Sequence, residues 1–315
     1  MFRVDDDAPH RLFGRHEQEF KGLDEVRVDF VPPFDEDELV AEEEKKLRVR
    51  FELRNTDPAI ANALRRIMIA EVETVAVDQI GMMQNTSIIP DEVLVHRVAM
   101  VPLAVDPRHV RKGEALFFEL TITCKGKPQN VYSRDLLFQP DESQTAAFPD
   151  QKEYWSKFNP RPVHSDILLA KLLPGQQIHL RAVCTVGKGQ DHAKWSPVAT
   201  ATYRIMPKVD VNTARANGEL AQAIKQACPR DVFDIEDSGA LVATDPRRCT
   251  MCRECVRLDE FKGCVELYRV SDHFIFSVES VGSLPPLEIV RRAILVLKAK
   301  AVAWKRHLHS LQATS

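Results

Sequence analysis

Three cysteines, Cys249, Cys252 and Cys255, stand at equal two-residue gaps in the run RRCTMCRECVR, in a chain with seven cysteines among 315 residues. Thiolates are soft anionic donors, and a two-residue gap lets successive sulfurs reach one centre from a tight loop. The chemistry offered is therefore ligation of iron or zinc. Four of the seven cysteines lie between Cys249 and Cys264, which suits a metal in a reducing compartment better than a disulfide framework.

The fourth ligand has two candidates. A bacterial ferredoxin run reads C-x2-C-x2-C-x3-C-P, and its last cysteine ligates the other cluster of a two-cluster protein. Here the triplet lacks a following Cys-Pro, whereas ACPRDVFDI upstream carries Cys228-Pro229 with no triplet before it. Loss of one of two clusters leaves this arrangement, with Cys228, Cys249, Cys252 and Cys255 closing a single 4Fe-4S cluster in a ferredoxin-like module. Cys264 is the rival fourth ligand, zinc is the rival metal, and a vestige holding nothing is the third alternative. Cys124 and Cys184 sit in apolar β-like runs and read as structural thiols. No G-x-G-x-x-G follows a strand and no C-x-x-C-H is present, so the metal is expected to brace the fold rather than to pass electrons.

Other chemistry is weaker. The loop VGKGQDHAKWSP has a Gly-Lys-Gly start but fails the P-loop spacing. It reads as an exposed loop presenting Lys188, His192, Lys194 and Trp195, a mixture suited to protein contacts. There is no nucleophile elbow and no H-E-x-x-H. His96 and His273 lie in apolar surroundings and read as structural histidines.

The elements that must position these residues are partly legible. LRVRFELRN alternates as a half-buried strand does and leads into NTDPAIANALRRIMIAEVETVAV. There Asp57 is placed to N-cap, Pro58 to open the helix, and Ile60, Leu64, Ile67 and Met68 recur at helical spacing. Short β-rich runs such as LFFELTITC and QIHLRAVCTV follow, with 139–162 expected as a long loop. After the cysteines come an alternating strand pair, VELYRVSDHFIFSVES, and a helix opened by PPLEIVRRAI, with Ile289, Ala293 and Val296 on one face. An α+β fold is expected.

The formal charge of -3 and the 28% of charged residues describe an ordinary globular chain with no global pull toward nucleic acid. The acidic run DEDELVAEEE reads as part of a flexible arm over 1–44. Neither a signal-peptide core nor a membrane-length apolar run is present in the sequence, and an intracellular protein is expected.

Taken in order, NTDPAIANALRRIMIAEVETVAVD, NTSIIPDEVLVHRVAMVPL, VYSRDL, GKGQDHAKWSPVATATYRIMP and VSDHFIFSVESVGSLPP resemble the α/D-type subunit family of DNA-directed RNA polymerases. VYSRDL tilts the likeness toward the large α-like subunit shared by nuclear polymerases I and III. Alternatives are the polymerase II paralogue, an archaeal D-type subunit, a single-cluster electron carrier and a zinc-dependent nucleic-acid binder. The resemblance implies a non-catalytic nuclear and nucleolar assembly subunit. It would pair with a smaller α-like subunit and dock the two large subunits, with no sequence-specific DNA binding and no membrane. It implies a discontinuous dimerisation domain at 45–85 and 265–310, an inserted β-rich domain at 86–207 and the cysteine module at 208–264. Ile60, Leu64, Ile67, Met68, Ile289, Ala293 and Val296 would then face the small partner. The loop carrying Lys188, His192, Lys194 and Trp195 would face a large subunit.

Overall fold

A computed structural model describes residues 27–30, 45–141, 144 and 146–314. Along the chain the elements are β1 (Arg27–Phe30), β2 (Arg48–Arg54), α1 (Pro58–Ala70), β3 (Glu73–Asn85), α2 (Asp91–Ala99) and β4 (Leu116–Thr123). They continue as β5 (Gln129–Tyr132), β6 (Leu137–Phe138), α3 (Gln151–Ser156), β7 (Leu168–Leu172), β8 (Gln177–Lys188) and β9 (Val198–Val211). The last are α4 (Gly218–Ala227), β10 (Phe233–Ile235), β11 (Leu241–Ala243), β12 (Val265–Ser280) and α5 (Pro286–Thr314). The fold is α+β, as expected. The acidic run falls outside the described residues, but 27–30, assigned to a flexible arm, form β1 and pair antiparallel with β2 from Arg27 opposite Arg54 to Phe30 opposite Phe51.

The described chain divides into two compact units. One comprises 27–30, 50–61 and 203–276. Its sheet runs β1-β2-β12-β9, and Phe51 stacks on Phe276 at 4.8 Å between ring centres. Tyr203 meets Phe274 edge-on at 5.5 Å. A second core in this unit gathers Val209, Ala221, Ile224, Phe233, Leu241 and Phe261 together with Cys249, Cys255 and Cys264. Around it lie α4 and the β10-β11 hairpin. Asn217 precedes α4, its side chain accepting from the adjacent Gly218 N–H at 2.7 Å.

The other unit comprises 45–49, 62–202 and 277–314. Its main sheet runs β3-β8-β4-β6, and β5 pairs with β7 in a second. The alternation read in QIHLRAVCTV is the burial pattern of β8: Ile178, Leu180, Ala182 and Cys184 are buried and their neighbours are not. The stretch 139–162 is not the unstructured loop expected. It contains α3, and Trp155 is fully buried. The Trp155 indole N–H donates to Glu114 at 2.8 Å and the Gln151 amide donates to the same oxygen at 3.0 Å. A six-residue helix is too short to display a period, and its partner lies some forty residues away.

Candidate functional site

The three close-set cysteines lie on irregular backbone between 3-10 turns. Cys249 ends the turn Pro246–Arg248, and Cys255 lies within Glu254–Val256. Met251 and Arg253, on either side of Cys252, have φ of 61° and 66°. Left-handed backbone at a non-glycine residue costs on the order of 1 kcal/mol, and such residues concentrate at functional sites. These two reversals let the loop return all three sulfurs to one side. Cys228, at the carboxyl end of α4, joins them. The four cysteines line a narrow recess of about 300 Å³, open mouth included, with Val232, Phe233, Leu267, Arg230 and Arg253. Cys264 is buried in the same core but does not line the recess.

Electrostatics within the recess holds two of the thiols in their protonated form. Burial pushes the Cys255 thiol up to about 11, and the neighbouring Cys249, Cys228 and Cys252 add to it. Burial also raises Cys249, against which the Met251 N–H, 3.4 Å from its sulfur, pulls down. Both shifts favour the neutral thiol, so Cys249 and Cys255 would become thiolates only beside a compensating positive charge. Among the described residues no three His, Cys, Asp or Glu side chains close on a single point tightly enough to hold one ion.

The cysteine loop is tied to the sheet of its own unit. Arg247, two residues before Cys249, donates through Nε to Glu52 on β2 at 2.6 Å. Arg54 reaches the other Glu52 oxygen at 2.6 Å, and a His273 ring nitrogen lies 2.9 Å from it. Burial alone would raise the Glu52 carboxyl, but the hydrogen bonds from Arg247, Arg54 and His273 outweigh it and hold the group at about 2. Arg204 completes the tie, donating to the carbonyls of Cys249 and Arg247 at 3.2 and 2.5 Å. His273 is therefore structural, as expected. His96 instead stands exposed on α2.

The residues expected on a pairing face are mostly inside this chain. Leu64, Ile67, Met68, Ile289 and Ala293 are buried, and only Ile60 and Val296 are half-exposed. The opposite face of α5 carries Leu287, Ile294 and Leu295 in the open. From 298 to 311 every residue is exposed, including Val302, Trp304, Leu308 and Leu311. The start of α5 is clamped: Arg292 reaches both Asp106 oxygens at 2.7–2.8 Å and Glu288 at 3.0 Å. An outward apolar stripe on a long helix needs cover. It was present in the sequence as a second apolar periodicity beside the one that Ile289 and Ala293 mark.

The loop 186–197 departs from its reading as an exposed mixed surface. Trp195 is 9% exposed, its indole N–H donating to the Thr185 carbonyl at 3.2 Å. Lys194 pairs with Asp78 at 3.1 Å and lies 4.2 Å above the Trp195 ring. Lys188 pairs with Glu73 at 3.6 Å, and of the four expected contact residues only His192 is exposed. The glycines serve packing: a Cβ on Gly187 would fall 2.4 Å from the Trp195 ring, and one on Gly189 would fall 2.2 Å from the Ile69 carbonyl oxygen.

A family model described as the RNA polymerase Rpb3/Rpb11 dimerisation domain matches residues 50–301. Among relatives, the Dictyostelium discoideum protein named DNA-directed RNA polymerases I and III subunit rpac1 is 42% identical over 79% of this chain and 75% of its own length. The Saccharomyces cerevisiae protein named DNA-directed RNA polymerases I and III subunit RPAC1 is 39% identical over 80% of this chain and 81% of its own. The Dictyostelium discoideum protein named DNA-directed RNA polymerase II subunit rpb3 is 35% identical over 84% and 92%.

Proposed function

Because this chain belongs to the RNA polymerase Rpb3/Rpb11 dimerisation family, we propose that its uncovered α5 stripe pairs with a smaller α-like subunit and that the pair docks the two large polymerase subunits. The chain is a non-catalytic assembly subunit of the kind that nuclear RNA polymerases I and III share. From one organism, the relative named for polymerases I and III is 42% identical to it and the one named for polymerase II 35%. Its work is nuclear, and the nucleolus follows if ribosomal RNA synthesis is among its tasks. The single observation that carries the pairing is the exposure of Leu287, Ile294 and Leu295 on the part of α5 whose other side, Ile289 and Ala293, is buried, continued by 298–311, where every residue is exposed. Helix ridges of this kind bury their apolar side chains in the grooves of a similar helix. The loop with Lys188, His192, Lys194 and Trp195 remains a proposed contact for a large subunit, now through His192 and the lysine stems rather than the indole.

Affinity isolation of the tagged chain from nuclear extract, followed by identification of what accompanies it, tests the assembly role. Recovery with a small α-like subunit and the large subunits of polymerases I and III is expected. A lone chain, or polymerase II alone, overturns it.

The recess suits a 4Fe-4S cluster held by Cys228, Cys249, Cys252 and Cys255. Four soft sulfurs line one recess, and the Cys228-Pro229 pair with the C-x2-C-x2-C triplet is the ligand pattern of such a cluster. When bound, such a group supplies positive charge to the thiolates and braces the loop. Arg247, Arg204 and Met251 orient that loop whether or not it is bound. Anaerobic purification with iron, sulfide and zinc analysis decides: about four iron and four sulfide per chain are expected, zinc alone makes the loop a structural clip, and no metal makes it a vestige.

A further inference from the structure

The fold accounts for two residues at the centre of VYSRDL but not for its arginine. Ser133 is buried and its hydroxyl donates to the His164 carbonyl at 2.5 Å, while Asp135 accepts from the Tyr132 N–H at 2.8 Å. Arg134 between them is exposed, its guanidinium 4.4 Å above the Tyr132 ring centre. It has no ion pair among the described residues. It stands on the edge of a groove of about 1200 Å³, open mouth included. Lys152 and Arg161 are on the same rim, also exposed and also without an ion pair among the described residues. Leu136, Phe138, Pro160 and Pro162 contribute an apolar floor, and Leu137 is 57% exposed beside it.

The walls are held in place before any ligand arrives. Glu114 fixes α3 through Trp155 and Gln151, and Arg111 holds Glu114 at 3.0 Å. Along the groove lies β6, the edge strand of its sheet. At two residues β6 supplies at most one or two backbone hydrogen bonds to an added extended segment, so the side chains of the groove carry most of the recognition. Guanidinium groups select carboxylates by charge and by their forked geometry.

We propose that this groove binds an extended acidic segment of another polymerase subunit. An apolar side chain rests on the floor, and carboxylates on either side of it meet Arg134, Arg161 and Lys152. That the neighbour is a polymerase subunit rests on the assembly role above; the chemistry of the groove does not.

Fluorescence anisotropy with the full chain and a labelled acidic peptide carrying Leu-Phe at its centre tests the groove directly. Saturable binding is expected, weakened about tenfold or more by Arg134→Ala with Arg161→Ala, by Leu137→Asp, and by Gly-Ser at the peptide's centre. All the substituted residues are exposed, so an unchanged thermal midpoint separates lost binding from lost fold. No saturable binding, equal binding of the Gly-Ser peptide, or displacement of the peptide by a single-stranded RNA would overturn the proposal. In the tagged chain the arginine variant should still recover the small α-like subunit while losing one other subunit. Recovery of every subunit unchanged sinks the claim about the neighbour. A wild-type chain that binds the peptide but recovers no polymerase subunit leaves the groove standing and overturns the assembly role instead.

Discussion

Glu52 gathers three charged or ring partners from three parts of the first unit's chain. Its carboxylate is 1% exposed and is satisfied by Arg247, Arg54 and His273. Its pKa falls from 4.5 to about 2, so its contribution to stability is complete above pH 4.5 and is lost as the pH falls toward 2. The size of that contribution is about 3 kcal/mol. Glu52→Gln removes the charge that Arg247 and Arg54 meet, with only Asp29 left beside Arg54 at 3.4 Å, and should destabilise the chain by about 3 kcal/mol. Denaturant unfolding at neutral pH measures the loss. The variant's stability should also change less than wild type's between pH 4.5 and 2, and an unaltered acid profile would mean that other carboxylates carry it. Only Arg54 is local to Glu52; Arg247 lies 195 residues from it and His273 lies 221 residues from it. His273 alone was read as structural, from its apolar neighbours.

At the scale of the element, α5 has two apolar faces with separate duties. Ile289→Asp puts a charge into the chain's own core and should abolish soluble expression. Leu295→Asp changes an exposed position, and the thermal midpoint should stay within about 2 °C of wild type. Co-expression with a small α-like subunit should then yield no pair on size-exclusion chromatography, and a normal pair would move the interface off this stripe. Leu64, 7% exposed on α1, belongs with Ile289, so Leu64→Asp should unfold the chain rather than merely separate it from a partner. The loop after β8 gives a different test. Gly187→Ala drives a methyl group into the Trp195 ring and should cost about 2 kcal/mol, with red-shifted tryptophan fluorescence as the indole is expelled. An unshifted spectrum would show that the ring has room to move.

For the whole molecule, the cysteines belong to one unit and the exposed stripe of α5 to the other. With the proposed cluster bound, Cys252→Ser should therefore abolish metal content and speed proteolysis within 209–264. Recovery of the small partner should fall less than about twofold, since the stripe's apolar contacts are untouched. Limited proteolysis beside affinity recovery measures both, and equal loss of the two would mean that one depends on the other.

Residue identity at short, fixed spacing determined a good deal by itself. The C-x2-C-x2-C triplet, the Asp57–Pro58 start of α1, the proline start of α5, the β8 alternation and the family likeness are all local patterns, and local patterns survive in a linear string. The tertiary structure alone decided that Trp155 and Trp195 are buried, that Cys228 rather than Cys264 lines the recess, and which face of α5 is turned inward. Each of these depends on a partner distant in sequence or on the order in which surfaces pack. Glu114 secures Trp155, and the bare Cα of Gly187 admits Trp195. A helix with apolar residues on both sides carries no mark of which side its own chain will cover, because the hydrophobic effect rewards burial of either equally.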